Sequence, residues 1–304
     1  MIMDKVVVLM STYNGARYLR EQVNSVLSQK DVKVQLIVRD DGSTDETISI
    51  LDEFIRCADN IRYIKGGNIG PCSSFLELLK ISDTAEYYAF CDQDDVWEEE
   101  KLKTAINRLK TFPTQRPALY CSNLKVVDEN LNYCFLCHKK AFDVSNRYLA
   151  LVEFPGVGCT EVFNKAARDF VVNNPVDNCL MHDSLLFLIC NFMGNVFWDY
   201  DSHILYRQHS NNVIGTSTNK LEKLKGMVRR FNNHKYQPRL ENARMLINNY
   251  SAFLEKDDFL KINAVACYKD SIINRIKLLF NYKIRSCFFL SDIRYRIKIL
   301  YGII

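Results

Sequence analysis

Three carboxylates within four positions, Asp92, Asp94 and Asp95, follow the apolar run YYAFC and precede Trp97. Ionised carboxylates this close repel one another and shift each other's pKa. A fold tolerates them when a cation lies between them, or when water does. Their oxygens suit Mg²⁺ or Mn²⁺, and Mg²⁺ usually takes one or two carboxylates plus substrate phosphates. The trio reads as a metal site, while Asp95 alone reads as the N-cap of a helix beginning near Trp97. A second carboxylate pair, Asp40 and Asp41, stands in RDDGSTD. Gly42, Thr44 and Asp45 suit a turn and helix cap. The adjacent carboxylates exceed what capping needs and could accept from a base N–H or a ribose hydroxyl. KGGNIG (65–70) matches neither GxGxxG nor GxxxxGK[ST], so the usual phosphate-loop readings are weak. Lys65 or its backbone N–H groups could still meet a phosphate. Asp183, in MHDSLL, opens an apolar helical stretch. The dipole keeps a carboxylate there ionised, and the residues alone leave it open between cap and general base. Arg207 and His209, in LYRQHSNN, follow a strand and are open between structure and function.

The elements that must position these groups alternate between two periods. Strands are expected at 5–11, 34–40, 61–65 and 87–90. Helices are expected over 16–29, after the capping-box pattern STDE (43–46), from Pro71, and over 97–112, where acids begin and bases follow. This alternation means βαβ units and a mostly parallel sheet. In such sheets ligands bind beyond the carboxyl ends of the strands, where STYNG, RDDGSTD, KGGNIG and CDQDDVW would all open. Further on, 156–164 reads as a turn into a strand, with a helix from Lys165 and another over 182–194 ending at Gly194. NVFWDY and HILYRQH read as a pair of strands, and the chain is helical and basic from 217 onward.

With 304 residues, one large domain or a domain plus an appendage is expected. Eleven cysteines sit singly, most in apolar stretches such as those around Cys57, Cys91, Cys190 and Cys287. They read as reduced buried thiols of a cytosolic protein, and Cys134, Cys137 and His138 lack the second pair a zinc site needs. The N-terminus does not read as a signal peptide, and no stretch reaches the length of a bilayer span. From Lys261 on, nine basic residues face two acids, a net +7, so residues 1–260 carry −3 of the total +4. In the tail, Ile272, Ile273, Ile276, Leu279 and Phe280 fall at helical spacing. That helix either packs on the catalytic domain with solvated Lys and Arg, or lies on anionic lipids, and both can hold at once. No nucleic-acid motif is present, and no nucleic-acid partner is expected.

In order and spacing, VLMSTYNGARYLREQVNSVLSQ, LIVRDDGSTDET, NIG, FCDQDDVW and HDSLL resemble the family 2 glycosyltransferases over residues 6 to about 210. CDQDDVW followed by a late YRQHxxN is similar to the bacterial rhamnosyltransferase-like branch. The resemblance implies an α/β GT-A fold, a mostly parallel sheet with flanking helices, and a helical extension. The catalytic domain would span 1–215, with a nucleotide-sugar half (1–115) and an acceptor half (116–215), and the basic helical extension 216–304. It also implies roles. Thr12, Tyr13, Asn14 and Asp41 would hold the nucleobase and ribose, and Asn68 and Gly70 would line the pocket. Asp92 and Asp94 would form the metal-binding DxD, and Asp183 would be the base. Arg207 and His209 would reach the diphosphate or the metal, His209 as a metal ligand. Gly156 and Gly158 would face the acceptor, with His182 structural or acceptor-facing. No QxxRW motif occurs and Ser184, not Trp, follows Asp183, which argues against a processive synthase. The expected activity is inverting, metal-dependent transfer of one sugar in bacterial surface-polysaccharide assembly. The donor would be a nucleoside-diphosphate sugar, dTDP-rhamnose first and a UDP-hexose or UDP-N-acetylhexosamine second. The acceptor would be a saccharide or lipid-linked oligosaccharide, and the location cytoplasmic or peripheral on the inner face of the plasma membrane. Two other classes compete. A non-catalytic nucleotide-sugar-binding scaffold would be expected to lose the base. A metal-dependent nucleotidyltransferase or phosphohydrolase would need a phosphate loop that STYNG is not.

Overall fold

The computed structural model describes residues 3–176, 179–209 and 237–304. Positions 210–212 of LYRQHSNN and 216–236 of the expected extension lie outside them. The chain divides into two compact units. The first comprises the residues up to Ala141, Gly156–Pro175 and Met181–Arg207. The second comprises Phe142–Pro155, Val176–Leu180 and Gln208–Ile304. Of the expected acceptor half, Phe142–Pro155, Val176–Leu180 and the residues from Gln208 on fall in the second unit.

In the first unit the chain runs β1 (Asp4–Thr12), α1 (Ala16–Leu27), β2 (Val32–Asp40), α2 (Thr47–Cys57), β3 (Ile61–Lys65), α3 (Pro71–Ile81) and β4 (Tyr87–Cys91). It continues through β5 (Val96–Trp97), α4 (Lys101–Leu109), β6 (Ala118–Val127), β7 (Tyr133–Leu136), β8 (Val162–Asn164), α5 (Lys165–Asn173), α6 (His182–Met193) and β9 (Asn195–Arg207). Among the described residues these strands form one sheet in the order β3-β2-β1-β4-β8-β6-β9-β5, with β7 on β6. The parallel ladders β3-β2-β1-β4 and β6-β9 are the long ones. β1 is buried almost throughout, and Val6, Val8 and Met10 join Leu36, Val38 and the inner faces of α1 and α2 in the core. Such β-branched runs fit a parallel sheet covered on both faces.

Short β8 matters most for the site. It runs antiparallel to β4, pairing Tyr87 with Asn164 and Ala89 with Val162. Continued, this register sets Cys159 opposite Asp92, and Phe90 N donates to Glu161 O at 3.2 Å. The segment 158–161 is thus laid along the last residues of β4. Helix α6 is buried on every side. It ends at Gly194, where a Cβ would stand 1.8 Å from the Pro117 carbonyl oxygen.

Four local readings change. The helix expected over 97–112 begins only at Lys101, because Val96 and Trp97 pair antiparallel with Leu205 and Ile204. Its acids at 98–100 precede the first turn. The start of α4 is bound by Gln29, which accepts from Leu102 N at 3.0 Å and donates to Glu98 O at 2.8 Å. Ser43 and Glu46 form no capping box, because Ser43 Oγ donates to Asp40 Oδ1 and accepts from Asn14 N. Asp45 instead accepts from Thr47 N at 3.0 Å. The pair of strands expected at 195–209 is one strand, whose register against β6 shifts beside Asn123. There Ser202 Oγ accepts from Lys125 N at 2.9 Å, which lets polar DYDSH continue the strand. Cys91 and Cys190 are buried as expected, but Cys57 and Cys287 are exposed.

The second unit carries α7 (Pro238–Tyr250), α8 (Lys256–Ala266), α9 (Ile272–Leu279) and α10 (Phe289–Tyr301). Segment 142–155 is held there by Arg147 on Asp258 and by Tyr148 Oη, which donates to Asp257 at 2.9 Å and Asp258 at 3.0 Å. Among the described residues, no helix is long and apolar enough to cross a membrane.

Candidate active site

Because β1 to β4 are mutually parallel, the loops after them open on one sheet edge. Hydrogen bonds join them into a rim. Asn14, with a positive φ of 48°, accepts from Thr44 N at 2.8 Å and donates its own N–H to Ser43. Gln93 accepts from Tyr13 N at 2.9 Å and donates to Tyr13 O at 3.2 Å. Asp41 accepts from Ile69 N at 3.1 Å and Gly70 N at 2.9 Å, and pairs with Arg39. Asn68 Oδ1 also accepts from Gly70 N, at 3.2 Å.

This rim reassigns several carboxylates. Asp40 accepts from Thr12 Oγ1 and from the N–H groups of Gly42 and Ser43. Asp41 is 3 % exposed and its oxygens face the 66–70 loop and Arg39. Both carboxylates build the loops. Thr12 is buried against Asp40. Tyr13, Asn14 and Asn68 stay exposed on the rim.

The DQDD segment leaves the end of β4 between the rim and the 158–161 segment. Asp92 and Asp94 are half-buried, and Asp95 is fully buried. Burial pushes the Asp92 carboxyl up to about 7, with Asp94 and Asp183 adding to the rise. Asp95 is held well above the ordinary carboxylate range by burial, then by Asp94 and Asp92. It caps no helix. Its Oδ1 accepts from Arg207 N at 3.1 Å, and α4 starts beyond Glu100. Among the described residues, Asp92, Asp95 and Cys159 are the group whose ligand atoms all lie within 4.8 Å of one another. Burial raises the Cys159 thiol as well. Asp95 and Cys159 are the more enclosed, and half-buried Asp92 and Asp94 offer hard carboxylate oxygens beside them. Their mutual repulsion is what a divalent cation would relieve, so the donor set fits Mg²⁺ or Mn²⁺.

Two cations that sequence reasoning placed elsewhere, or missed, lie behind this segment. Arg207 is 2 % exposed. It donates from Nε to Asp94 O at 2.9 Å and from Nη1 to Glu129 O, pairs with Glu21, and lies over the Tyr18 ring at 4.5 Å. The guanidinium clamps the acidic segment from within. Lys101 is completely buried, with Nζ 3.7 Å from the Trp97 ring centroid and no hydrogen-bond partner. Burial lowers its pKa to about 8, against the pull of Cys159, Cys91, Asp95 and Asp92.

Asp183 is the second residue of α6 and is buried. Its Oδ2 accepts from Gly158 N at 3.2 Å and Oδ1 from Ser184 N at 2.6 Å. Burial raises it to about 6, while these N–H groups oppose the rise. Next to it, His182 stacks on Phe75 at 4.0 Å and meets Phe90 edge-on at 4.7 Å. Burial holds the ring neutral, near pKa 3, and neither nitrogen has a hydrogen-bond partner. A Cβ on Gly158 would lie 3.0 Å from His182 Nε2, so glycine is what permits this approach. Gly156 lies buried two residues upstream. Glu161, unmarked by any sequence signal, is fully buried with both carboxyl oxygens unpartnered, and burial pushes it well up. His209, two residues past β9, belongs to the second unit.

Comparison with known proteins identifies the family and the fold. The Glycosyl transferase family 2 model matches residues 7–167. The dTDP-rhamnosyl transferase RfbG of Shigella flexneri is 34% identical over 244 residues, covering 72% of this chain and 79% of its own. An uncharacterized glycosyltransferase of Rickettsia prowazekii is 25% identical over 263 residues, 84% of this chain and 81% of its own. S. aureus TarS 1–349 shares the fold with a TM-score of 0.57 at 19% identity, over 97% of this chain and 80% of that one. A complex of TarS 1–349 with UDP-GlcNAc superposes with a TM-score of 0.55 at 18% identity, over 98% and 91% of the two chains. The chain is a glycosyltransferase, and it belongs to family 2.

Proposed function

We propose that this enzyme transfers a single sugar, with inversion, from a nucleoside-diphosphate sugar to a saccharide acceptor. The observation that carries this reading is Asp183, a buried carboxylate fixed by two backbone N–H groups and close enough to Asp92 to raise its pKa. A single in-line displacement needs one base and one charge-stabilising site, and no covalent enzyme intermediate. Asp183 takes the acceptor hydroxyl's proton as its oxygen bonds to the anomeric carbon. The bond from that carbon to the diphosphate breaks, and the nucleoside diphosphate leaves. A base with pKa about 6 is mostly ionised at neutral pH and still accepts a proton readily. The Gly158 and Ser184 N–H groups hold it in one orientation.

Asp92 and Asp94 would hold the divalent cation. When bound, such a cation neutralises the diphosphate and stabilises its departure. Exposed Tyr13, Asn14 and Asn68 line the donor rim, which Thr12, Asp41 and Gly70 shape from beneath. Gly156, Gly158 and His182 form the acceptor side.

The dTDP-rhamnosyl relative favours dTDP-rhamnose as the donor, and bacterial surface-polysaccharide assembly is the setting we infer for such a transfer. A UDP-N-acetylhexosamine is the second reading, favoured by the UDP-GlcNAc complex of a protein with this fold. The acceptor would be a saccharide or lipid-linked oligosaccharide, and the reaction would take place in the cytoplasm or at the inner face of the plasma membrane. The test is a thermal-shift panel of dTDP-, UDP- and GDP-sugars with and without Mn²⁺, followed by transfer assays on the best ligand. A ligand at 100 times its dissociation constant adds about 2.7 kcal/mol of stability. A metal-dependent shift with dTDP-rhamnose is expected. No shift with any of them, despite a cooperative melt, would overturn the reading.

A further inference from the structure

The C-terminal helices present a surface that catalysis leaves unexplained. On α9, Ile272 is 73 % and Phe280, its C-cap, 77 % exposed, with exposed Ile276 between them. On α10, Phe289 is 79 % and Leu290 66 % exposed, and Leu300 is exposed as well. At 3.6 residues per turn, each set falls within an arc of about 100°. The opposite faces do the packing: Leu278 on α9, and Tyr295 and Ile299 on α10, are buried. Arg296 fastens the two helices together by donating to the carbonyls of Leu278, Leu279, Asn281 and Ile284. The apolar arcs are therefore outward faces of a packed pair.

Charge identifies what covers them. Exposed Lys277, Arg285 and Arg294 lie beside the arcs or between the helices. The one acid from Ile272 to Ile304 is Asp292, which is engaged with Arg296 and Ser286 N. Apolar side chains with a basic border and no free acid match a bilayer surface bearing anionic headgroups. A second copy of the chain would set two basic borders against each other, which costs binding. We propose that α9 and α10 seat this protein on an anionic membrane surface by inserting these apolar arcs at the headgroup boundary. The inference stands on the second unit alone and does not depend on the transfer reading.

The experiment is co-sedimentation of the full chain with vesicles of phosphatidylcholine alone, or with about 30% phosphatidylglycerol. Binding to the anionic vesicles only, weakened by added salt, is expected. Lys277→Gln and Arg294→Gln should each lower the partition coefficient about fivefold. Phe280→Asp with Phe289→Asp should lower it at least roughly tenfold. These exposed positions should leave the thermal melt unchanged, and the two charge variants carry the test if the aspartate variant misfolds. Equal binding to neutral and anionic vesicles, no binding, or charge variants that sediment like wild type would overturn the proposal. So would a wild-type dimer in sedimentation equilibrium that the aspartate variant dissociates.

Discussion

Substituting Asp183 by asparagine should stabilise the protein near neutral pH while sharply slowing transfer. The ordinary carboxyl value is 3.8, and burial raises this one to about 6. The folded state thus holds the proton more tightly than the unfolded state does. The cost of ionising it is absent below about pH 4, grows as pH rises, and is complete above about pH 6. At 1.36 kcal/mol per unit, the difference from 3.8 to about 6 is roughly 3 kcal/mol. The asparagine amide would carry no charge, but it would lose one of two acceptors. Either Gly158 N or Ser184 N then goes unpaired, which costs about 1 kcal/mol. Asp183→Asn should therefore gain about 2 kcal/mol near pH 8 and lose about 1 kcal/mol near pH 4. Urea unfolding of the metal-free proteins at both pH values measures the crossover. Removing a general base should cut turnover by about 10² to 10⁴-fold. Wild-type turnover should fall as pH drops through about 6, the value of the base. A stability difference that is the same at both pH values would refute the buried, raised carboxyl. Turnover within tenfold of wild type, with the fold intact, would refute the base.

Arg207→Met tests whether the guanidinium clamps the acidic segment or binds donor. It leaves Asp94 O and Glu129 O without their donor, so unfolding free energy should fall by about 2–4 kcal/mol, and half-exposed Glu21 adds little. Unchanged stability with only a raised donor KM would restore the donor-binding role. Gly158→Ala should push its Cβ into His182 Nε2, a ring already confined by Phe75 and Phe90. The first turn of α6 must shift by tenths of an ångström, lowering kcat about tenfold or more with donor KM unchanged; unaltered kcat would show that this approach does not set the position of Asp183.

Local periodicity carried much of this protein in its sequence. Alternating two-residue and 3.6-residue patterns placed β1 to β4 and α1 to α3 close to their observed bounds. Parallel pairing then sets the four polar loops on one edge, because every βαβ crossover returns the chain in the same direction. The family followed from the order of those loops, and so did the candidates Asp92, Asp94 and Asp183.

What each carboxylate does was decided only by the tertiary structure. Adjacent Asp40 and Asp41 look alike in sequence, yet one gathers N–H groups of its own turn and the other binds Ile69 and Gly70 from a distant loop. Asp95 reads as a cap, but the cap of α4 comes from Gln29, 73 positions away, which frees Asp95 to receive Arg207 N. Cys159 and Glu161 carry no motif at all. They stand beside the site because three residues of β8 pair with β4, and nothing local in VFN announces that pairing. Secondary structure depends on near neighbours, so composition and spacing reveal it. The charge state and partners of a buried group depend on which distant donors and which loss of water the fold brings to it, and those are set by contacts many residues apart.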